Sequence, residues 1–146
     1  MRAASAEQAG GRCEIVRRYL EAFYASRWLE LMGYLADDAL YVDPLLPEPV
    51  RGRAAIRDVL AYCHTWGNYR GEIVNLFGSG VFVAVEQRIT GRVTSPPEGM
   101  SQAVVGQTFD FIEADVFEFD ERDRIVRETI YADALTLMGQ LGEPFS

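Results

Sequence analysis

A chain of 146 residues, 49% hydrophobic and 25% charged, has the size and composition of one globular domain able to bury its own core. Its 14 basic residues against 22 acidic ones leave a net charge of −8, which repels phosphate backbones and anionic membrane surfaces and argues against nucleic-acid or membrane partners. The longest unbroken aliphatic and aromatic run, at 81–85, is far shorter than a bilayer span or a signal-peptide core, so a cytoplasmic location is expected.

Ile15, Val16, Tyr19, Leu20 and Phe23 recur at helical spacing, which predicts a first amphipathic helix over 6–25. Trp28, Leu31, Met32 and Leu35 form the stripe of a second, shorter helix that Asp37 and Asp38 are expected to end, followed by an extended piece at 39–42. Asp43-Pro44 predicts a turn, the proline-rich stretch 45–51 excludes regular helix, and 54–66 returns to helical period. Everything after Gly67-Asn68 reads as strand, at about 71–77, 81–93, 103–119 and 125–133. Three helices followed by four long antiparallel strands predict an α+β fold in which one curved sheet wraps the helices. The expected organisation is a flexible leader at 1–12, one domain at 13–138 and a C-terminal tail at 139–146. Cys13 and Cys63 have no second Cys or His at metal-ligand spacing, so two reduced thiols are expected and no metal site.

The most informative strand is 109–119. Side chains alternate faces, and its odd positions read Phe109, Phe111, Glu113, Asp115, Phe117 and Phe119, two acids among four phenylalanines. If that face lines the interior, Asp115 is desolvated and its pKa rises. The even face, with Ile112, Ala114 and Val116, suits solvent or another subunit. His64 is expected at a helix end.

Residues 35–44, Leu-Ala-Asp-Asp-Ala-Leu-Tyr-Val-Asp-Pro, resemble the A-D-D-A-x-x-x-D-P motif of the ketosteroid isomerase branch of the nuclear transport factor 2-like superfamily. Residues 49–56, Pro-Val-Arg-Gly-Arg-Ala-Ala-Ile, resemble its P-x-x-G-R-x-x-I entry into the third helix, and Asp115 stands just before a segment similar to F-D-x-x-G-R-I, with Asp123 at the turn glycine. Tyr19 lies 24 residues before Asp43, the spacing at which the family places its oxyanion-binding tyrosine. SnoaL-like polyketide cyclases share these features. The resemblance implies a cone-shaped α+β barrel with Asp43 as proton-shuttling base and Tyr19 and Asp115 as oxyanion donors. Phe111, Glu113, Phe117, Arg88 and Tyr131 are expected to contact substrate. Positions that carry supporting tyrosines in one branch hold Leu35 and Leu60. Limonene epoxide hydrolases, similar in fold, use an Asp-Arg-Asp set. Arg88 matches that arginine, while Thr90 stands where one aspartate is expected.

The resemblance therefore implies a cofactor-independent acid–base enzyme that moves a proton on a small hydrophobic carbonyl compound, steroid-, terpenoid- or polyketide-like, through an enolate. Polyketide cyclisation, epoxide opening and non-catalytic ligand binding are the alternatives on the same fold. A homodimer joined through the outer sheet face is also expected.

Overall fold

The computed structural model describes residues 6–142. The chain runs α1 (Ala6–Tyr24), α2 (Trp28–Gly33), β1 (Leu35–Val42), β2 (Val50–Arg51), α3 (Arg53–Cys63), β3 (Gly67–Ser79), β4 (Phe82–Val93), a 3-10 turn (Gln102–Val104), β5 (Thr108–Phe119), β6 (Ile125–Ala132) and α4 (Ala134–Leu141). Six strands form one open mixed sheet in the order β2-β1-β6-β5-β4-β3. This is the α+β cone that the resemblance implies, with an open sheet in place of a closed barrel, and three differences from the expected elements matter for the site.

First, Leu35–Val42 is a strand throughout. Asp37 and Asp38 do not end a helix. They sit at an irregularity where β1 skips register against β6, between the pairs Leu35↔Ile125 and Leu40↔Arg127, and both are exposed. There Asp37 pairs with Arg53 at 2.7 Å. Second, β1 and β6 are parallel, so the sheet is not purely antiparallel. Third, the chain after β6 forms α4. Asp133 caps it by accepting from the Thr136 amide at 3.0 Å and the Thr136 hydroxyl at 2.7 Å, and Gly142 closes it in the left-handed conformation. Ordered structure thus includes 6–12 and 139–142, while 1–5 and 143–146 lie outside the described residues.

Alternation on β5 is intact: Phe109, Phe111, Asp115, Phe117 and Phe119 are buried, and the β4–β5 register is unbroken. Bulges occur instead between β3 and β4, near Val74, and between β5 and β6, near Val126. Each inserted residue bends its strand and raises the local twist, which curls the sheet. Two apolar clusters fill the interior. One joins Val16, Leu31, Leu35, Ile56 and Phe117 under α1–α3; the other joins Ile89, Val104, Phe109, Leu137 and Leu141 under α4. Asp123 holds φ at 57°, the left-handed turn conformation that a short polar side chain tolerates.

Outside the cavity lining, Arg12 of α1 is 4% exposed and donates from each of its three side-chain nitrogens. Its guanidinium donates to Asp123 Oδ1 at 2.8 Å, to the Gly80 carbonyl at 2.9 Å and to the Asp120 carbonyl at 3.3 Å, and it lies 5.7 Å from the Phe119 ring centroid. One arginine thereby ties the β3–β4 and β5–β6 turns to the helix. No described helix is long and apolar enough to cross a membrane.

Candidate active site

Between the two clusters lies a cavity of about 100 Å³ whose lining includes the exposed Leu45. Engineered apolar cavities of about 150 Å³ hold one benzene, so this volume suits the reacting portion of a substrate with the remainder at the mouth.

Asp43, Asp115 and Tyr19 all line this cavity, as do Phe111 and Glu113. Tyr41 is buried on β1 and alternation puts Asp43 on the same side two residues later, past the last strand residue. Its carboxylate is oriented by two donors, the Tyr41 hydroxyl to Oδ2 at 3.1 Å and the Leu45 amide to Oδ1 at 2.8 Å. The second contact is the Asx-type turn that Asp-Pro favours. Turn formation and orientation of the Asp43 carboxylate are the same event here.

Asp115 is 2% exposed. Its Oδ2 accepts from Gln87 Nε2 at 3.1 Å, and Gln87 Oε1 accepts from the Tyr24 hydroxyl at 2.8 Å. No partner reaches Oδ1, which is buried. Burial first, then the carboxyls of Glu113 and Glu128, drive the Asp115 pKa well above the ordinary aspartate value. Burial also raises Glu113, opposed by the neighbouring Asp115 carboxyl. Burial acts more strongly on Asp115, so of the two carboxyls Asp115 is held further toward its neutral form.

Tyr19 is buried in α1, with the Phe117 ring edge-on at a centroid distance of 5.5 Å. Its hydroxyl donates to Glu128 Oε2 at 2.7 Å. Burial, then the Glu128 carboxylate, raises the Tyr19 pKa well above 10, so the phenol stays protonated. Glu128 is 4% exposed, and desolvation pushes its pKa up to about 8 despite the Tyr19 hydrogen bond.

Three expected contacts face elsewhere. Phe117 is core packing behind Tyr19 and does not line the cavity. Arg88 points outward from β4, where its Nη2 meets Asp110 Oδ2 at 2.6 Å. Tyr131 is 62% exposed, because it follows the inward Ile130 on β6 and alternation turns it out. With Arg88 on the outer face, no arginine lines the cavity, so the Asp-Arg-Asp arrangement of epoxide hydrolases has no counterpart there. His64 caps α3, contacts Ser26 Oγ at 3.1 Å and packs among Phe23, Trp28 and Tyr69, outside the cavity lining.

Sequence reasoning passed over Glu128, Gln87, Tyr24 and Tyr69. Gln87 was signalled by Val83, Val85 and Ile89, which share its strand face. Tyr24 fits because Gly71 opposite it has no side chain: a Cβ there would run into the tyrosine ring and hydroxyl. Among the described residues, no group of three or more His, Cys, Asp or Glu is arranged to hold a metal ion.

A curved sheet folded over helices around a pocket of acids and tyrosines is the cone of the ketosteroid isomerase and nuclear transport factor 2-like proteins. Within that class the chain belongs to the SnoaL-like domain family, whose model matches residues 16–128. A candidate polyketide cyclase from Xanthomonas campestris pv. campestris is 25% identical over 90% of this chain and 97% of its own, with a TM-score of 0.76. An LEH-like epoxide hydrolase from M. tuberculosis is 19% identical over 92% and 91%, with a TM-score of 0.72. A protein of ketosteroid isomerase-like fold from Catenulispora acidiphila DSM 44928 is 21% identical over 90% and 94%, also at 0.72. No curated protein matches the chain.

Proposed function

We propose that this protein is a cofactor-independent acid–base enzyme that transfers a proton next to the carbonyl of a hydrophobic substrate. The observation that carries the reading is the meeting of Asp43, Tyr19 and a buried Asp115 in one cavity. Asp43, oriented by Tyr41 and Leu45, takes the α-proton and can return it at another carbon. Asp115, kept neutral by burial and by Glu113, donates to the oxygen on which negative charge grows. Tyr19 donates to the same oxygen once Glu128 is neutral, because a protonated Glu128 can donate a hydrogen bond to the phenol oxygen and free the phenol O–H to turn to the substrate. Donors fixed in a dry pocket stabilise charge that appears only in the transition state. The same steps serve an enolate that closes a ring onto a second carbonyl, as in polyketide cyclisation.

Exchange of α-hydrogens for deuterium in a panel of cyclic and acyclic ketones, followed by NMR, tests this directly. Asp43-dependent exchange at pH 7 is the expected result. No exchange with any ketone, or exchange untouched by Asp43→Asn, rejects the reading and leaves a binding module.

We also propose that two copies pair through the outer sheet face, where Phe82, Ile112 and Tyr131 are exposed. Sedimentation should give twice the 16.4 kDa chain mass. A monomer at tens of micromolar removes the pairing.

A further inference from the structure

Of the four carboxyl groups that line the cavity, three have a direct part in the proposed reaction: Asp43 as base, Asp115 as donor and Glu128 as partner of Tyr19. Glu113 enters it only through its charge on Asp115 and is given no contact with substrate. It is half-buried, faces the cavity from β5 two residues from Asp115, and no lysine, arginine or histidine lines the space to balance it. Much of the remaining lining is aromatic: Phe23, Tyr24, Tyr41, Trp66, Tyr69 and Phe111. The acids are too dispersed to converge on a metal. Asp115 adds a separate indication that something is meant to bind, since the residue lines the cavity and its buried Oδ1 has no partner. A neutral carboxyl there needs an acceptor, which a carbonyl oxygen supplies.

A ligand that satisfies both groups has a carbonyl oxygen for Asp115 and a positive charge for Glu113. Ring faces around a carboxylate attract a desolvated ammonium, through the quadrupole of each ring and through a charge-assisted hydrogen bond to the acid. A neutral hydrocarbon chain would leave Glu113 desolvated without compensation. We propose that the substrate is an amino ketone, a carbonyl compound bearing a protonated amine, with Glu113 as the residue that selects the ammonium. This rests on the acid–base reading of the same cavity and narrows its substrate class. A nearby ammonium also withdraws electrons from the carbon whose proton Asp43 removes, so the selecting charge assists the reaction.

The test compares n-butylammonium with 1-butanol, which differ at the head group, in NMR titrations of the full chain at low ionic strength. Butylammonium should bind at least tenfold more tightly and shift the Tyr24 and Trp66 resonances. Glu113→Gln should remove that preference and leave 1-butanol binding unchanged. Equal affinity of the two probes overturns the proposal. So does a preference that survives Glu113→Gln, or shifts confined to the outer surface, since both would report only the acidic exterior. If Glu113→Gln does not fold, the location of the shifts in the unaltered protein decides alone. Deuterium exchange of 2-butanone separates the two levels. Asp43-dependent exchange without a cation preference sinks the amine and keeps the enzyme. A Glu113-dependent preference without exchange of any ketone keeps the cation site and sinks the enzyme.

Discussion

Asp110 and Asp115 stand five residues apart on one strand and live in opposite conditions. Asp110 is on the outer face, where Arg88 grips both its oxygens, at 2.8 and 2.6 Å, and lowers its pKa. Asp115 is on the inner face, with an amide on one oxygen, no partner on the other, and a raised pKa. The strand geometry is the same; the difference is whether a cation and water are within reach. A carboxylate in water with a partner is already satisfied and has little left to offer a ligand. One that is dry and unmatched is costly to the fold, and such cost is found where a site has work to do.

The largest expected effect breaks this comparison at the inner face. Asp43→Asn should reduce α-proton exchange by roughly 10²- to 10⁴-fold, the usual worth of a general base. Asp115→Leu should cost about a hundredfold, and Asp115→Asn much less because its amide still donates. Asp110→Asn should leave the rate unchanged. Equal loss at Asp110 and Asp115 would refute the division between faces.

The next effect is on stability. Glu128 titrates at about 8 in the folded protein against 4.5 as its ordinary value, so between those pH values the folded chain holds a proton that the unfolded chain has released. Stability is therefore full below about pH 4.5 as far as this group is concerned, and falls as pH rises towards 8. Asp115, shifted in the same direction, adds to the fall. Urea denaturation of Glu128→Gln should show a shallower decline across that window than the parent chain. An unchanged slope would mean that Glu128 is not the group responsible.

A smaller effect is expected at Gly71→Ala, which pushes Tyr24 off β3 and interrupts the line from Tyr24 through Gln87 to Asp115. Overpacking of this kind costs about 1–3 kcal/mol, readable as a lower denaturation midpoint, and exchange should slow even in the folded variant. The smallest effect is at the outer face, where Arg88→Ala should alter neither the midpoint nor exchange beyond scatter, the pair being solvent-exposed.

How much of this could be read in the sequence follows the same physics. The first helix and the two faces of β5 were legible because their periods of 3.6 and 2 run uninterrupted. That Asp43 and Tyr19 share one cavity was legible through motif and spacing. Glu128 was not. On β6 the bulge near Val126 shifts the pattern, so that Ile125, Glu128 and Ile130 all turn inward, and a glutamate between Arg127 and Thr129 resembles an ordinary exposed position. A residue skip set by the partner strand leaves no trace in local periodicity. Arg88 and Tyr131 failed for the converse reason: residue type suggested chemistry, but alternation had already assigned them outward. The start of β1 was not legible because two aspartates normally end a helix, whereas Asp37 and Asp38 lie inside the strand at an irregularity beside Arg53.

Arg12 separates the anchoring of the fold from the chemistry of its cavity. Its three hydrogen bonds secure α1 and two turns without calling on any cavity residue. It stands seven positions before Tyr19, about 10 Å along the helix, and is not among the residues that line the cavity. An exchange of one acid for another in the cavity therefore removes none of the anchor's three hydrogen bonds, so the hold on this end of α1 is independent of the chemistry the cavity performs.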